Sequence, residues 1–242
     1  MSGIFGLHAV EAALATAPER IRVLYVQKGR DGRKQSLVDR ARAAGVRVSF
    51  VDRAWLDRKA DGAVHQGVLA ESQALAPADE KALEAAWAEL PGPRLLLALD
   101  GVQDPRNLGA CLRSAAAAGV QAVLLPKRNS APLSAAALKT AAGAAEVLLI
   151  VSVANLARRL DWLRSQGAWV IGAAGDAGSS WFDADFTSDV VLVLGGEEKG
   201  LKRLTREKCD RLVRIPMAAG VESLNVSVAA GILLFEAVRQ RH

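Results

Sequence analysis

The sequence predicts an α/β fold: a domain built on a mainly parallel sheet, preceded by a smaller α/β domain. Three observations carry this. From Arg94 onward, short runs rich in Leu, Val and Ile alternate with helical segments, the pattern of strand–helix–strand units. Those runs are continuous in apolar character, as suits strands covered on both faces. Residues 74–93 break the chain into two parts. They hold Pro77, Pro91, Gly92 and Pro93 and four acidic residues against one Lys, and they are read as a linker closing on a Pro-Gly-Pro turn.

Residues 1–73 form the first part. Residues 7–15 read as a helix, 21–26 as a strand, and 35–44 as a helix stopped by Gly45. Residues 46–51 are a second strand, and a third begins at 67–70. This part carries 12 basic and 8 acidic residues. Within the linker, 79–90 has the composition of a short helix. In the second part, 94–242, strands are expected at 95–99, 122–125, 147–151, 169–173, 190–194 and 211–215. Helices are expected at 108–118 (closed by Gly119), 134–142, 154–166 (closed by Gly167) and 224–239.

The chain has 242 residues, of which 51% are hydrophobic and 24% charged, the balance of a soluble globular protein. Its formal net charge is +5. That excess permits a polyanionic partner such as RNA, because cationic side chains displace counterions from phosphates, but it does not require one. Cys111 and Cys209 lie far apart, no CxxC pair exists, and His8, His65 and His242 lack metal-ligand spacing. A disulfide framework and a metal site are not expected. No apolar run reaches the ~20 residues of a membrane span, and the N-terminus lacks the pattern of a signal peptide. A cytoplasmic location is expected.

In open α/β sheets, ligands bind beyond the carboxyl ends of the strands. Three such ends carry unusual loops. The first is Asp100-Gly101-Val102-Gln103-Asp104-Pro105-Arg106-Asn107-Leu108-Gly109, leading to Arg113. The second is Gly195-Gly196-Glu197-Glu198-Lys199-Gly200. The third runs from Ile215-Pro216-Met217 to Ser223-Leu224-Asn225-Val226-Ser227. None is a dehydrogenase fingerprint, since GxGxxG is missing. Gly195 and Gly200 have P-loop spacing, but Leu201 stands where the phosphate lysine belongs. No G-x-S-x-G elbow marks a hydrolase. Taken singly, the polar residues have plain structural readings. Asn107 and Ser223 suit helix caps, Arg113 a surface charge, Glu197 a solvated carboxylate, and His65 a structural hydrogen bond.

Taken together, the three loops resemble the motifs of the SpoU family of RNA ribose methyltransferases. Asp100-Gly101-x-x-Asp104-Pro105-x-Asn107-Leu108-Gly109 with Arg113 is similar to its first motif, Leu194-Gly195-x-Glu197-x-x-Gly200 to its second, and the third loop to its third. Asp61-Gly62-x-x-His65-Gln66-Gly67 is similar to the end of the substrate-binding domain that precedes many members. Glu198 departs from the pattern, where relatives often carry a small residue; spacing assigns the site role to Glu197. Spacing and length are most similar to members that methylate a guanosine ribose in bacterial 23S ribosomal RNA. Transfer RNA is an alternative substrate, and an RNA-binding protein with a retired catalytic domain is an alternative class.

The resemblance implies a SPOUT-type sheet with a C-terminal trefoil knot, which pattern reading would not predict because knots are rare. It implies S-adenosylmethionine held by Gly195, Ile215 and Leu224, and a homodimer with the first domain binding RNA. It implies catalytic roles for Asn107, Arg113, Glu197, Ser223 and Asn225. Asn107 and Asn225 would orient the ribose and the loops. Glu197 would fix loop geometry or hold Arg113, and Ser223 would cap the last helix. Arg113 would grip a substrate phosphate and stabilise the developing alkoxide, since a guanidinium holds its proton too firmly to be a good base.

Overall fold

The computed structural model describes every residue except Met1, Arg30, Ala74, Gly220 and Glu222. Gly220 and Glu222 of the third loop therefore lie outside the described residues. The chain divides into two compact units, one of residues 1–76 with 142–147, the other of 77–141 with 148–242.

In the first unit the elements run β1 (Ser2–Phe5), α1 (Leu7–Thr16), β2 (Ile21–Gln27), α2 (Gly32–Ala43), β3 (Arg47–Val51), α3 (Arg53–Ala60) and β4 (Val68–Ser72). The sheet order is β1-β4-β2-β3. β2 and β3 are parallel, and β4 runs antiparallel to β1 and β2. Two aspartates start helices by accepting first-turn N–H groups. Asp31 takes those of Arg33 and Lys34 at the head of α2, and Asp52 takes that of Trp55 at the head of α3. Val10, Leu14, Leu24, Val26, Leu37, Val38 and Val68 close the core.

The second unit begins with α4 (Glu80–Trp87). Then follow β5 (Leu95–Asp100), α5 (Pro105–Ala117), β6 (Ala122–Pro126), α6 (Ala135–Ala141), β7 (Leu149–Val153), α7 (Leu156–Ser165), β8 (Trp169–Ala173), β9 (Ser179–Ser180), β10 (Val190–Gly195), α8 (Arg203–Arg206), β11 (Arg211–Arg214) and α9 (Val226–Arg241). Seven strands lie in the order β7-β6-β5-β10-β8-β11-β9, and every pairing is parallel. The continuous apolar runs are the buried central strands: all of Leu95–Leu99 and Val190–Leu194 are buried.

The stretch read as a linker is largely part of this unit. Leu83 and Trp87 of α4 are buried in its core beside Leu156, Leu160 and Leu163 of α7. Glu80 accepts the Ala154 N–H at 2.8 Å. Glu80 and Glu84 both accept from the buried Arg159 guanidinium, at 3.0 Å from Nε and 2.7 Å from Nη1. Composition hid this because an amphipathic helix rich in Glu and Ala resembles a polar connection when its apolar face is only two large residues wide.

The sheet order also places the site. β5 leads to β6 on one side, while β10, its other neighbour, leads by way of α8 to β11 on the opposite side. Between β5 and β10 the connections diverge, which leaves a crevice at the strands' carboxyl ends.

Candidate active site

β5 and β10 run in register, with Gly195 opposite Asp100. The first and second loops therefore leave the sheet side by side. Their backbones touch because glycine lets them. A Cβ on Gly195 would collide with the backbone of Gly200 and Leu201, and one on Gly196 would stand 2.5 Å from the Gly101 carbonyl oxygen. The second loop folds back through a Gly196–Gly200 bridge. Asp100, buried at the end of β5, accepts from the Lys202 backbone N–H at 2.9 Å and from its ammonium at 2.8 Å. That double contact closes the loop onto the sheet with a charge-assisted bond.

Asp104 caps α5, accepting the Arg106 N–H at 2.9 Å, with Pro105 in the first helical turn. The cap position is therefore filled, and Asn107 is free to act elsewhere. Its Nδ2 donates to Glu197 Oε1 at 2.7 Å, and its Oδ1 accepts from Asn225 Nδ2 at 3.0 Å. Asn225 Oδ1 accepts from the Ser227 backbone N–H at 2.8 Å and its hydroxyl at 2.7 Å. The orientation of both amides follows from the ends of this chain: an ionised carboxylate only accepts and a backbone N–H only donates. One file of hydrogen bonds thus ties the first, second and third loops together.

Cys111 lies one helical turn beyond Asn107. Burial, reinforced by the Glu197 charge, pushes its thiol up to about 12, so it stays protonated and takes no nucleophilic part.

A cleft of about 440 Å³ opens beside this junction. Asn107 and Glu197 line it with Asp100, Gln103, Asp104, Asn129, Glu198, Lys199 and Lys202. Among the residues expected at the site, the structure brings Asn107, Glu197 and Asn225 into one network. Gly195 is packed beneath it, while Ile215 and Leu224 are half-buried on the third loop and do not line the cleft.

One expectation is corrected. Ser223 is exposed and does not cap the last helix; Asn225 does, because its side chain reaches the Ser227 N–H. Of the two roles expected of Glu197, its bond to Asn107 fits the fixing of loop geometry, and it makes no bond to Arg113. Arg113 is exposed on α5, six residues past Asn107, with no hydrogen-bond or ion-pair partner among the described residues. Six residues turn a helix by about 240°, so the two side chains leave on different faces.

Sequence reading missed Lys202, the partner of Asp100, and Asn129, which follows β6 with a left-handed φ of 58°. The rule that led to the other loops would have found Asn129, since it too follows a strand's carboxyl end. Among the described residues, no cluster of His, Cys, Asp and Glu could hold a metal, and no helix is long and apolar enough to cross a membrane.

Loops joined at the switch point of a parallel sheet mark a ligand site, and comparison with known proteins shows the family. Residues 94–235 match the model of the SpoU rRNA Methylase family, and 4–78 match that for RNA 2'-O ribose methyltransferase substrate binding. The chain belongs to the SpoU methylase family. It is 50% identical over 239 residues to the Escherichia coli 23S rRNA (guanosine-2'-O-)-methyltransferase RlmB, covering 98% of each chain. It is 52% identical to the Pseudomonas aeruginosa RlmB, covering 98% of this chain and 96% of that one. Among solved structures, an AdoMet-bound rRNA methyltransferase from Sinorhizobium meliloti superposes with a TM-score of 0.77 at 26% identity, over 98% of this chain and 87% of that one. The SpoU methyltransferase AviRb from Streptomyces viridochromogenes shares the fold, with a TM-score of 0.79 at 23% identity over 99% and 90%.

Proposed function

We propose that this chain is an S-adenosylmethionine-dependent methyltransferase that modifies the 2'-hydroxyl of a guanosine ribose in 23S ribosomal RNA. The observation that carries the reading is the Glu197–Asn107–Asn225 junction at the switch point, in a chain half identical to RlmB proteins along nearly its whole length.

The residues fit the cofactor. Gly195 and Gly196 let the second loop pack backbone to backbone against Gly200, Leu201 and Gly101, where any Cβ would collide, so main-chain groups would form much of the cofactor's wall. The cleft walls carry both signs of charge, from Asp104, Glu197 and Glu198 to Lys199 and Lys202, which suits a zwitterionic amino-acid portion. Gly195, Ile215 and Leu224 would hold the adenosine portion by backbone and apolar contact. When bound, S-adenosylmethionine supplies the methyl group on a sulfonium.

The chain's own residues then have three tasks. The Asn107–Glu197–Asn225 file holds the loops so that the acceptor ribose meets a fixed surface, and alignment of this kind supplies much of a transfer's acceleration. Ser223, exposed on the third loop, would bound the ribose site. Arg113, exposed and without a partner among the described residues, would grip a phosphate and stabilise the alkoxide, with water or a phosphate oxygen taking the proton.

The segment between β11 and α9 would thread the trefoil knot. The bonds that join Asn225 of the third loop to Asn107, and through it to Glu197, support this, since they hold that segment against the other two loops. A homodimer is the expected closed assembly. Val228 and Phe235 on α9 and Val221 on the third loop are exposed and apolar and would supply its contact. The unit holding 1–73 would bind RNA, and the protein would work in the cytoplasm.

The test is incubation with labelled S-adenosylmethionine and ribosomal RNA lacking modifications, followed by mapping. The expected product is one 2'-O-methylguanosine in 23S RNA. Label in transfer RNA alone would replace the substrate, and no label in either would refute the activity.

A further inference from the structure

The Asp61–Gly67 turn of the first unit is held far more tightly than a connection needs. Asp61 and Gln66 both adopt left-handed φ, 45° and 50°, which costs free energy for residues bearing a Cβ. Two side chains hold the turn. Gln66 Oε1 accepts the Leu7 N–H at 3.0 Å, supplying the cap that Gly6 cannot give α1. His65 is buried, and its Nδ1 accepts the Gly67 N–H at 3.0 Å. Nδ1 therefore carries no proton, so Nε2 does, and Nε2 donates to Asp57 Oδ1 at 2.8 Å. Both ring nitrogens are thus occupied within the protein. At Gly67, φ 81°, a Cβ would overlap Gln27 Oε1 and the Lys34 ammonium, each 2.8 Å away, so glycine lets those two groups lie across the turn.

The turn borders a pocket of about 370 Å³ lined by Gln27, Arg53, Asp57, Ala63, Val64 and residues 65–67. Once the internal bonds are assigned, Gln27 and Arg53 keep donors free to meet a ligand. The Gln27 carboxamide has no partner among the described residues. The Arg53 guanidinium is 75% exposed, with Asp57 only at 3.9 Å. Val64 adds an apolar wall, 79% exposed.

We propose that this cavity receives one unpaired nucleotide of the RNA substrate, its base edge read by Gln27 and its phosphate held by Arg53. The inference rests on the RNA reading above and deepens it. A carboxamide that both donates and accepts suits a base edge, whereas the Asp57 carboxylate in the wall opposes a phosphate inside the cavity. The phosphate then belongs at the mouth, where Arg53 reaches solvent. Specific recognition of RNA falls mostly on unpaired bases, and an anchored turn with an apolar flank gives such a base a fixed seat. His65 and Gln66 are positioning residues that hold the seat.

The test uses the full chain, a fluorescent fragment of unmodified 23S RNA, and the variants Arg53→Ala and Gln27→Ala. Each should weaken RNA binding about 10-fold, the size of one lost phosphate or base-edge contact. The two should differ in salt dependence. Arg53→Ala should lower the slope of log K against log salt by about 1, while Gln27→Ala should leave it unchanged. A merely structural role would not separate them so. S-adenosylmethionine affinity should match the parent in both, and KM for RNA should rise with kcat kept. Photocrosslinking of the parent should place a nucleotide on the 63–67 peptide. Unchanged RNA affinity and slope in Arg53→Ala, with parental affinity in Gln27→Ala, would overturn the pocket and leave methyl transfer standing. The binding arm decides the pocket even where the methylation assay fails.

Discussion

Asn107 is placed by a competition that Asp104 wins. Both have side chains that cap helices, and the position nearer the turn takes the role, which leaves Asn107 to bridge Glu197 and Asn225. The same displacement governs the last helix, where Asn225 rather than Ser223 is the cap. Residue type and spacing made these positions legible as a site. Which of two neighbouring caps is used depends on where the backbone leaves the helix, and spacing does not show that. Arg113 poses the sharper question, since it stands apart from the network it was expected to join. If it serves the acceptor, Arg113→Ala should leave S-adenosylmethionine affinity nearly unchanged and lower turnover at least ~100-fold, the scale of one preorganised charge-stabilising donor. Arg113→Lys should restore little, because a point charge lacks the planar fork. Single-turnover kinetics with titrated cofactor measures both; near-parental turnover in the alanine variant would return Arg113 to the status of a surface charge.

At the scale of elements, the strands were the most legible part. Leu95–Asp100 and Val190–Gly195 follow from continuous apolar runs, while β7 starts two residues later than the run suggested, at Leu149. β1 and α3 went unread because four residues and a charged eight-residue helix carry little periodicity. Sheet order was not legible at all: parallel strands buried on both faces look alike, and nothing local says that β10 lies beside β5. The glycines at that junction say why it tolerates no bulk. Gly195→Ala should force the Gly196–Gly200 fold-back open, abolishing cofactor binding by calorimetry while the circular dichroism spectrum stays close to the parent's. The α4–α7 clasp gives a pH prediction. Burial opposes the charge on Glu80, but the Ala154 N–H and Arg159 outweigh it and hold the carboxyl below the ordinary value of 4.5. A depressed folded pKa stabilises above the unfolded value and loses that contribution as pH falls through the folded one. Melting temperature should therefore drop as pH is lowered from about 4.5, and Glu80→Gln should flatten that part of the profile while lowering stability at neutral pH. An identical acid limb in both proteins would remove Glu80 from the account.

At the scale of the whole molecule, the boundary between units is the point to test. The Pro-Gly-Pro turn suggested a start near Arg94, but α4 belongs to the second unit's core. A fragment from Pro77 should fold and bind S-adenosylmethionine while losing RNA affinity, since the first unit would carry the RNA contacts. A fragment from Arg94 lacks Leu83 and Trp87, so the apolar face of Leu156, Leu160 and Leu163 that they cover is left to water. Losing the burial of two large side chains and of the surface beneath them costs several kcal/mol, so this shorter fragment should show no cooperative melt by calorimetry. Equal melting of the two fragments would restore the linker.

The Arg159 clasp also has a consequence for behaviour on heating. Dehydrating charges becomes less costly as temperature rises, whereas the gain from apolar burial levels off. The grip of Glu80 and Glu84 on Arg159 should therefore matter more in a warm cell than on the bench. A triple variant with an apolar side chain at 159 and neutral amides at 80 and 84 should match the parent near 25 °C. It should fall behind as the temperature climbs, a divergence that unfolding free energies measured across that range would reveal.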